Sequence, residues 1–381
     1  MLRYRHLLWL AALPLVAVQS LPAAVQAGTC NGITGYSTIS AAVAAAPSGS
    51  TVNVCPGTYA EQVTISKPLT LQGVTSGTAN QAVVTVPTTG LVTNTTSMFS
   101  EPVAAQILVL GPGPVNISNI AVDGTGGDLL CGSWLAGIFY ASGSSGTVNG
   151  VRASNQVDST CGVGIWAENS SSSNESITVK NSSVYNVDSA GIFAGSGPTP
   201  TLTATLDNDV VSASAATAAI DADSVQGQVQ NNSVSNAVFG VYDIASGVIV
   251  ASNAIVGTNY GIYLGSGGTA SGNRVSGSSI DGILLGHSGA TLTNNRIMSS
   301  TTAGVELGCF ATASVSGNII NDAGTGFDAA PLATNLTNNS LYNTSTTITN
   351  GCTFAPVLAA RSANPQHQWH LPGTPWGTRT K

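Results

Sequence analysis

The chain has 381 residues, enough for one or two domains with a sizeable core. Only 7% of it is charged and the net charge is −7, which argues against nucleic acid and anionic membranes, since both need basic patches. Val, Ile and Leu recur regularly among the Ser, Thr, Asn and Gly, so a core can be buried and a low-complexity linker is excluded.

The first element is a targeting segment. Arg3, Arg5 and His6 precede the apolar run LLWLAALPLVAV, and VQA ending at Ala27 has the small residues of a cleavage site. Residues 1–27 are expected to be a secretory signal peptide, with the mature chain starting near Gly28. AGTC before Cys30 departs from a lipoprotein box at Thr29. No later run is long and apolar enough to span a membrane.

Export puts the six cysteines in an oxidising compartment. Six cysteines allow fifteen pairings. Proximity along the chain favours Cys30–Cys55, Cys131–Cys161 and Cys309–Cys352 as structural bridges. No C-x-x-C pair points to metal or redox work.

From Gly137 onward the chain repeats itself. GIFY at Gly137, GIWA at Gly164, GIFA at Gly191 and AIDA at Ala219 are followed by GVYD at Gly240, GIYL at Gly261, GILL at Gly282, GVEL at Gly304 and GFDA at Gly326. The steps are 27, 27, 28, 21, 21, 21, 22 and 22 residues. A second column, Asn208, Asn232, Asn253, Asn273, Asn295, Asn318 and Asn339, stands two residues before a Val, Ile or Leu. Asparagines at one recurring position can stack amide on amide and tolerate a left-handed bend. The N-x-S/T triplets follow from this column and are not read as glycosylation sites.

Short alternating strands in units of about 21 residues predict an all-β parallel solenoid. Leucine-rich repeats lack this pattern, and a propeller needs about 40 residues per blade. The chain resembles the right-handed parallel β-helix (pectin lyase-like) superfamily of pectate lyases, polygalacturonases and pectin methylesterases, from about Tyr36 to Phe354. YSTISAAVAAAPSGSTVNVCPGTYAEQVTISKPLTLQG, about residues 36–73, resembles the N-terminal cap, with a short capping helix at TISAAVAAA. The Gly-Ile units resemble the generic coil. The resemblance implies a single-stranded right-handed β-helix over residues 28–354. Residues 355–381 are Pro-rich and aperiodic, and His367 and His370 within them have no carboxylate to complete a metal site.

Alternation assigns the faces. The Ile or Val after each Gly should point inward, and the next residue outward. The outward row reads Phe139, Trp166, Phe193, Asp221, Tyr242, Tyr263, Leu284, Glu306 and Asp328. Two residues on lie Glu168 and Asp223. Phe139, Trp166, Phe193, Tyr242 and Tyr263 are candidate sugar-stacking residues, and Asp221, Asp223 and Glu168 candidate acids and bases. The resemblance implies a substrate groove on this strand. Residues i and i+2 stand roughly 6.5–7 Å apart, so Asp221 and Asp223 could reach the separation of inverting glycosidases. Asp243 reads as a third acid or a turn cap.

The motifs of particular enzymes are missing. There is no contiguous Asp-Asp; Gly286-His287 is the one echo of polygalacturonases, and His287 reads as a turn residue. No methylesterase motif is present. A lyase would need a basic residue and calcium ligands. Arg152, Lys180, Arg274 and Arg296 are the basic residues of the coils, and Asp123, Asp128 and Asp158 the loop carboxylates that could hold calcium. The expectation is an extracellular or periplasmic monomer with no required cofactor that engages polysaccharide, and is a hydrolase. The alternatives are a non-catalytic adhesive or sugar-binding solenoid and a calcium-dependent lyase.

Overall fold

The computed structural model describes residues 25–349, apart from 76, 78–80, 198–200, 245–246, 288, 309–311 and 329–334. Cys309, Cys352, residues 1–24 of the expected signal peptide and the tail 355–381 lie outside the described residues.

A capped coil opens the fold. Thr38 ends an extended stretch, and its side chain accepts from the Ala41 amide at 3.1 Å. That begins the helix Ile39–Ala45, which buries Ile39, Ala42 and Val43 on the end of the coil. Glu61, from the PGTYAE turn, accepts from the Ile39 and Ser40 amides at 2.7 and 3.0 Å. It meets orphan donors that every helix N-terminus leaves. Val25–Ala27 pairs in parallel with Val52–Val54, and Ala27 is fully buried, so the expected cleavage point falls at the end of a core strand.

Behind the cap the chain winds as a parallel β-helix. One sheet takes a strand from every coil, from Val25–Ala27 to Asn335–Thr337 among the described residues. The Gly-Ile strands form a second column, with Ile138, Ile165, Ile192, Ile220, Val241, Ile262, Ile283, Val305 and Phe327 in register. All nine are buried in one continuous interior cluster. The glycine before eight of them, replaced by Ala219 before Ile220, marks a corner. At Gly261 a Cβ would point inward onto Val275 Cγ1 and the Gly282 carbonyl, so two successive residues face the interior and alternation slips there. A third column, including Arg152–Ser154, Arg274–Ser276 and Arg296–Met298, completes each coil.

Asparagine works as expected, with one division of labour. The ladder residues Asn232, Asn253, Asn273, Asn295 and Asn318 are buried. Each accepts at Oδ1 from the rung before it and donates through Nδ2 to the rung after. The left-handed bend falls on the residue before the rung, as at Asn231, Ser252, Asn294 and Asn338. Asn208, expected as the first rung, is one of these exposed bend residues, and Asp209 takes the inner place.

Cys30–Cys55 and Cys131–Cys161 are disulfides, as expected. Among the described residues no helix is long and apolar enough to cross a membrane.

Asn253→Ala removes a rung: the buried Asn232 backbone N–H loses its acceptor, the Asn232 side-chain amide loses one of its two acceptors, and the Val229 carbonyl loses a donor. An unmet buried group costs about 1–3 kcal/mol. Urea unfolding is expected to show a clear loss of stability for Asn253→Ala and little change for Asn208→Gly, which keeps the left-handed bend at an exposed position.

Candidate functional site

The outward row of the Gly-Ile strands has the expected register. Phe139, Trp166, Phe193, Asp221, Tyr242, Tyr263, Leu284, Glu306 and Asp328 pair in that order. Its exposure departs from expectation. Phe139, Trp166 and Phe193 are 0%, 1% and 1% exposed, and Tyr242 and Tyr263 are buried as well. The first three sit in a separate apolar cluster with Trp134, Val163 and the Cys131–Cys161 bridge. They do not form an open sugar-stacking track.

A strap covers them. Residues 91–101 fold back over this face, with Thr95–Thr96 pairing antiparallel to Pro102 and Val103. Asn94 brackets the Ala105 backbone through both side-chain ends, and Leu91 packs against Ala104 and Leu135. At the tip, Phe99 meets Phe193 edge-on at 6.4 Å. A Cβ on Gly195 would lie 2.6 Å from the Phe193 ring and 3.0 Å from Met98 Cε, which is why glycine stands there. Sequence alternation cannot foresee this cover, because the strap comes from a coil far upstream.

The expected acids do come together beside the strap tip. Glu168, Gly195 and Asp223 share one column, and Asp221 follows Phe193 in the next. Yet Glu168 is 2% and Asp221 4% exposed, and only Asp223 is half-exposed. Asp221 therefore does not face solvent, as alternation alone had placed it. Glu168 Oε1 accepts from the Met98 amide at 2.7 Å. Burial pushes its carboxyl up to about 8, against the Met98 amide and the Trp166 indole, which pull it down.

A second acidic group lies further along the same face. Asp281 is fully buried, accepts from the Ala303 amide at 3.0 Å and lies beside the Glu306 carboxyl. Burial, then the neighbouring Glu306 carboxyl, push Asp281 up to about 8, and the more distant Asp328 adds to this. Glu306 and Asp328 are half-exposed on adjacent coils. Tyr260, in register with Asp281, has its phenol raised by burial, then by Asp281 and then by Glu306. Asp281 escaped the sequence reading because it precedes the glycine corner, where the inward–outward count slips. The signal was the column Tyr260, Asp281, Ala303, Thr325, one residue before each glycine.

The remaining candidates sit elsewhere. Asp243 is wholly buried at an inward position between Ala222 and Leu264. His287 donates from Nδ1 to the Gly265 carbonyl at 2.9 Å, as a turn residue would. Arg274 and Arg296 are exposed neighbours on the third column. Asp123 accepts from Thr125 and Asn155, while Asp158 accepts from the Leu129 and Cys131 amides and bonds Asp128. Among the described residues no group of three His, Cys, Asp or Glu is placed to hold a metal.

Glu168 yields a pH prediction. Its folded pKa is raised, so the stability it lends is full at low pH and is lost as pH rises from about 4.5 through about 8. Hydrogen exchange at Met98–Glu101, corrected for intrinsic rate, is expected to quicken as pH rises from about 4.5 to about 8 in the native protein and to level off above. Glu168→Gln is expected to keep its protection there.

The family model "Periplasmic copper-binding protein (NosD)" matches residues 199–353, under half of the chain. That stretch has one histidine and one methionine, His287 and Met298. His287 is held on Gly265, and Met298 Sδ accepts from Arg296 Nε at 3.4 Å on another face. These two residues are not placed to share a copper ion, and the two cysteines of the stretch, Cys309 and Cys352, lie outside the described residues. No curated protein matches the sequence. Among solved structures, the A-module of the Azotobacter vinelandii mannuronan C-5 epimerase AlgE4 is similar, with 12% identity, TM-score 0.56, and 79% of this chain and 89% of that one covered. A mutant of the periplasmic alginate epimerase AlgG gives 16%, 0.53, 84% and 85%. The Eubacterium ramulus GH136 lacto-N-biosidase gives 9%, 0.53, 85% and 67%. Register, interior and these likenesses agree: the chain has a right-handed parallel β-helix fold.

Proposed function

We propose that this chain engages polysaccharide at the acidic end of its Gly-Ile face and acts there as a glycoside hydrolase. The observation that carries the reading is the Asp281–Glu306 pair. A buried acid that keeps its proton to about pH 8 stands behind a half-exposed carboxyl group, with Asp328 one coil on. Carboxyls whose environments separate their proton affinities supply an acid and a base from one residue type. Glu306 is placed to touch the glycosidic oxygen. Asp281 acts through Glu306 as a positioning residue that returns its proton. In hydrolysis the proton goes to the departing sugar oxygen, and a water completes the other product at the anomeric carbon.

Support comes from the names of the similar structures, a mannuronan epimerase, an alginate epimerase and a lacto-N-biosidase. Two disulfides suit an extracellular or periplasmic protein. A second reading places the chemistry at Asp221, Asp223 and Glu168, and is favoured by their convergence beside the strap tip. It is weaker because two of the three are almost wholly buried.

The test is product analysis by mass spectrometry on neutral and uronate polysaccharides, with and without calcium. Shortened, hydrated products are expected, falling at least a hundredfold in Glu306→Gln. In Asp281→Asn the pH profile should shift while binding is kept. Loss in Asp221→Asn/Asp223→Asn alone would move the centre to the second reading. Products lighter by one water would mean elimination. Binding without products would leave a sugar-binding solenoid.

A further inference from the structure

The asparagine ladder follows one rule. Each rung's Nδ2 donates both to the Oδ1 of the next rung and to a carbonyl of the preceding coil, three residues before the rung there. Asn232 donates to Leu206 O and Asn253 Oδ1, both at 3.0 Å. Asn253 repeats this with Val229 O and Asn273 Oδ1 at 2.9 and 3.0 Å, and Asn273 with Val250 O and Asn295 Oδ1, both at 2.9 Å.

Asp209 holds the first carboxamide place without an amide. Its backbone N–H donates to Asn232 Oδ1 at 2.8 Å, and its Oδ1 accepts from the Ser182 amide at 2.7 Å, as a rung should. Register then puts Oδ2 where every other rung carries its NH₂, facing Asn232 Oδ1 and the carbonyl of Val179. Both are acceptors. Oδ2 is buried and has no hydrogen-bond donor among the described residues. An ionised oxygen facing two oxygens is repelled by both, whereas a protonated one can donate to either.

We infer that Asp209 is a neutral-acid rung whose Oδ2–H donates to Asn232 Oδ1, and that losing this proton loosens the joint between the long and short coils. The location supports the second half. Repeats of 27 and 28 residues end here and those of 21 and 22 begin. The adjoining strand Val210–Asp223 breaks register with its neighbour between Ser212 and Ala216. Burial, the main cause, and the Asp207 charge push the carboxyl up to about 7, against the Ser182 and Asp207 amides. The charged groups beside it are Asp207 on Leu202–Asp207 and Lys180, paired opposite on Glu175–Lys180.

The sign follows from the raised folded pKa. Stability from this rung is full below about pH 4 and is lost as pH rises to about 7, with no further loss beyond. Asp209→Asn supplies the missing NH₂ and should remove that part of the pH dependence. Glu168 and Asp281 also titrate in this range, so the readout is the difference in Tm between Asp209→Asn and the native protein. The difference is expected to be small near pH 4, to widen in favour of Asp209→Asn up to about pH 7, and then to stay constant. A difference independent of pH, or a less stable Asp209→Asn at pH 8, would overturn the inference. If Asp209→Asn fails to fold, NMR of the native protein decides: the Ser182 and Asn232 amides must titrate together near pH 7, and their failure to do so would overturn it.

Discussion

Hydrogen bonds that run from coil to coil set everything else in this molecule. They hold each residue over its counterpart one coil away, at a spacing of about 4.8 Å. Side chains of equal phase therefore form columns: isoleucine and valine inside, glycine at the corner, asparagine on the ladder, and a mixed row outside. The scarcity of charge is a consequence. Any ion placed in a column meets its vertical neighbours, and like charges side by side are unfavourable. Arg274 and Arg296 are tolerated because both reach solvent.

The same stacking divides the Gly-Ile face into two environments. Toward the N-terminus it carries Phe139, Trp166 and Phe193, closed over by the strap and braced by Cys131–Cys161. Toward the C-terminus it carries Asp281, Glu306 and Asp328 beside Tyr260. Between them, Phe239 stacks on Tyr260 and Tyr242 on Tyr263, with centroids 4.9 and 4.8 Å apart. The aromatic half has the burial of a core, and the acidic half carries half-exposed carboxyl groups.

Much of this was legible in the sequence, and the limits have physical causes. The Gly-Ile steps gave nine of the coils with their interior column and outward row, because a solenoid turns sequence period directly into spatial register. The capping helix and two disulfides were readable from local pattern and proximity. Burial was not. Phe139, Trp166 and Phe193 were assigned to the outward face correctly and to solvent wrongly, since the covering strap begins some forty residues upstream in sequence. Asp281 was missed because two inward residues follow it, and a strict period of two cannot pass that corner. Asn208 was taken for a rung that belongs to Asp209, since the two adjacent polar residues look interchangeable until one is seen to face inward.

The ladder also gives the solenoid a direction. From Asn232 to Asn318 every side-chain amide points its N–H toward the C-terminal coils and its carbonyl toward the N-terminal ones. Carboxamide dipoles aligned in this way add along the axis, much as peptide dipoles add along an α-helix. The negative pole of the column lies at its N-terminal end, where Asp209 stands. A carboxylate there would face the field of the whole stack as well as its nearest oxygen, so the column itself favours the uncharged acid at its head.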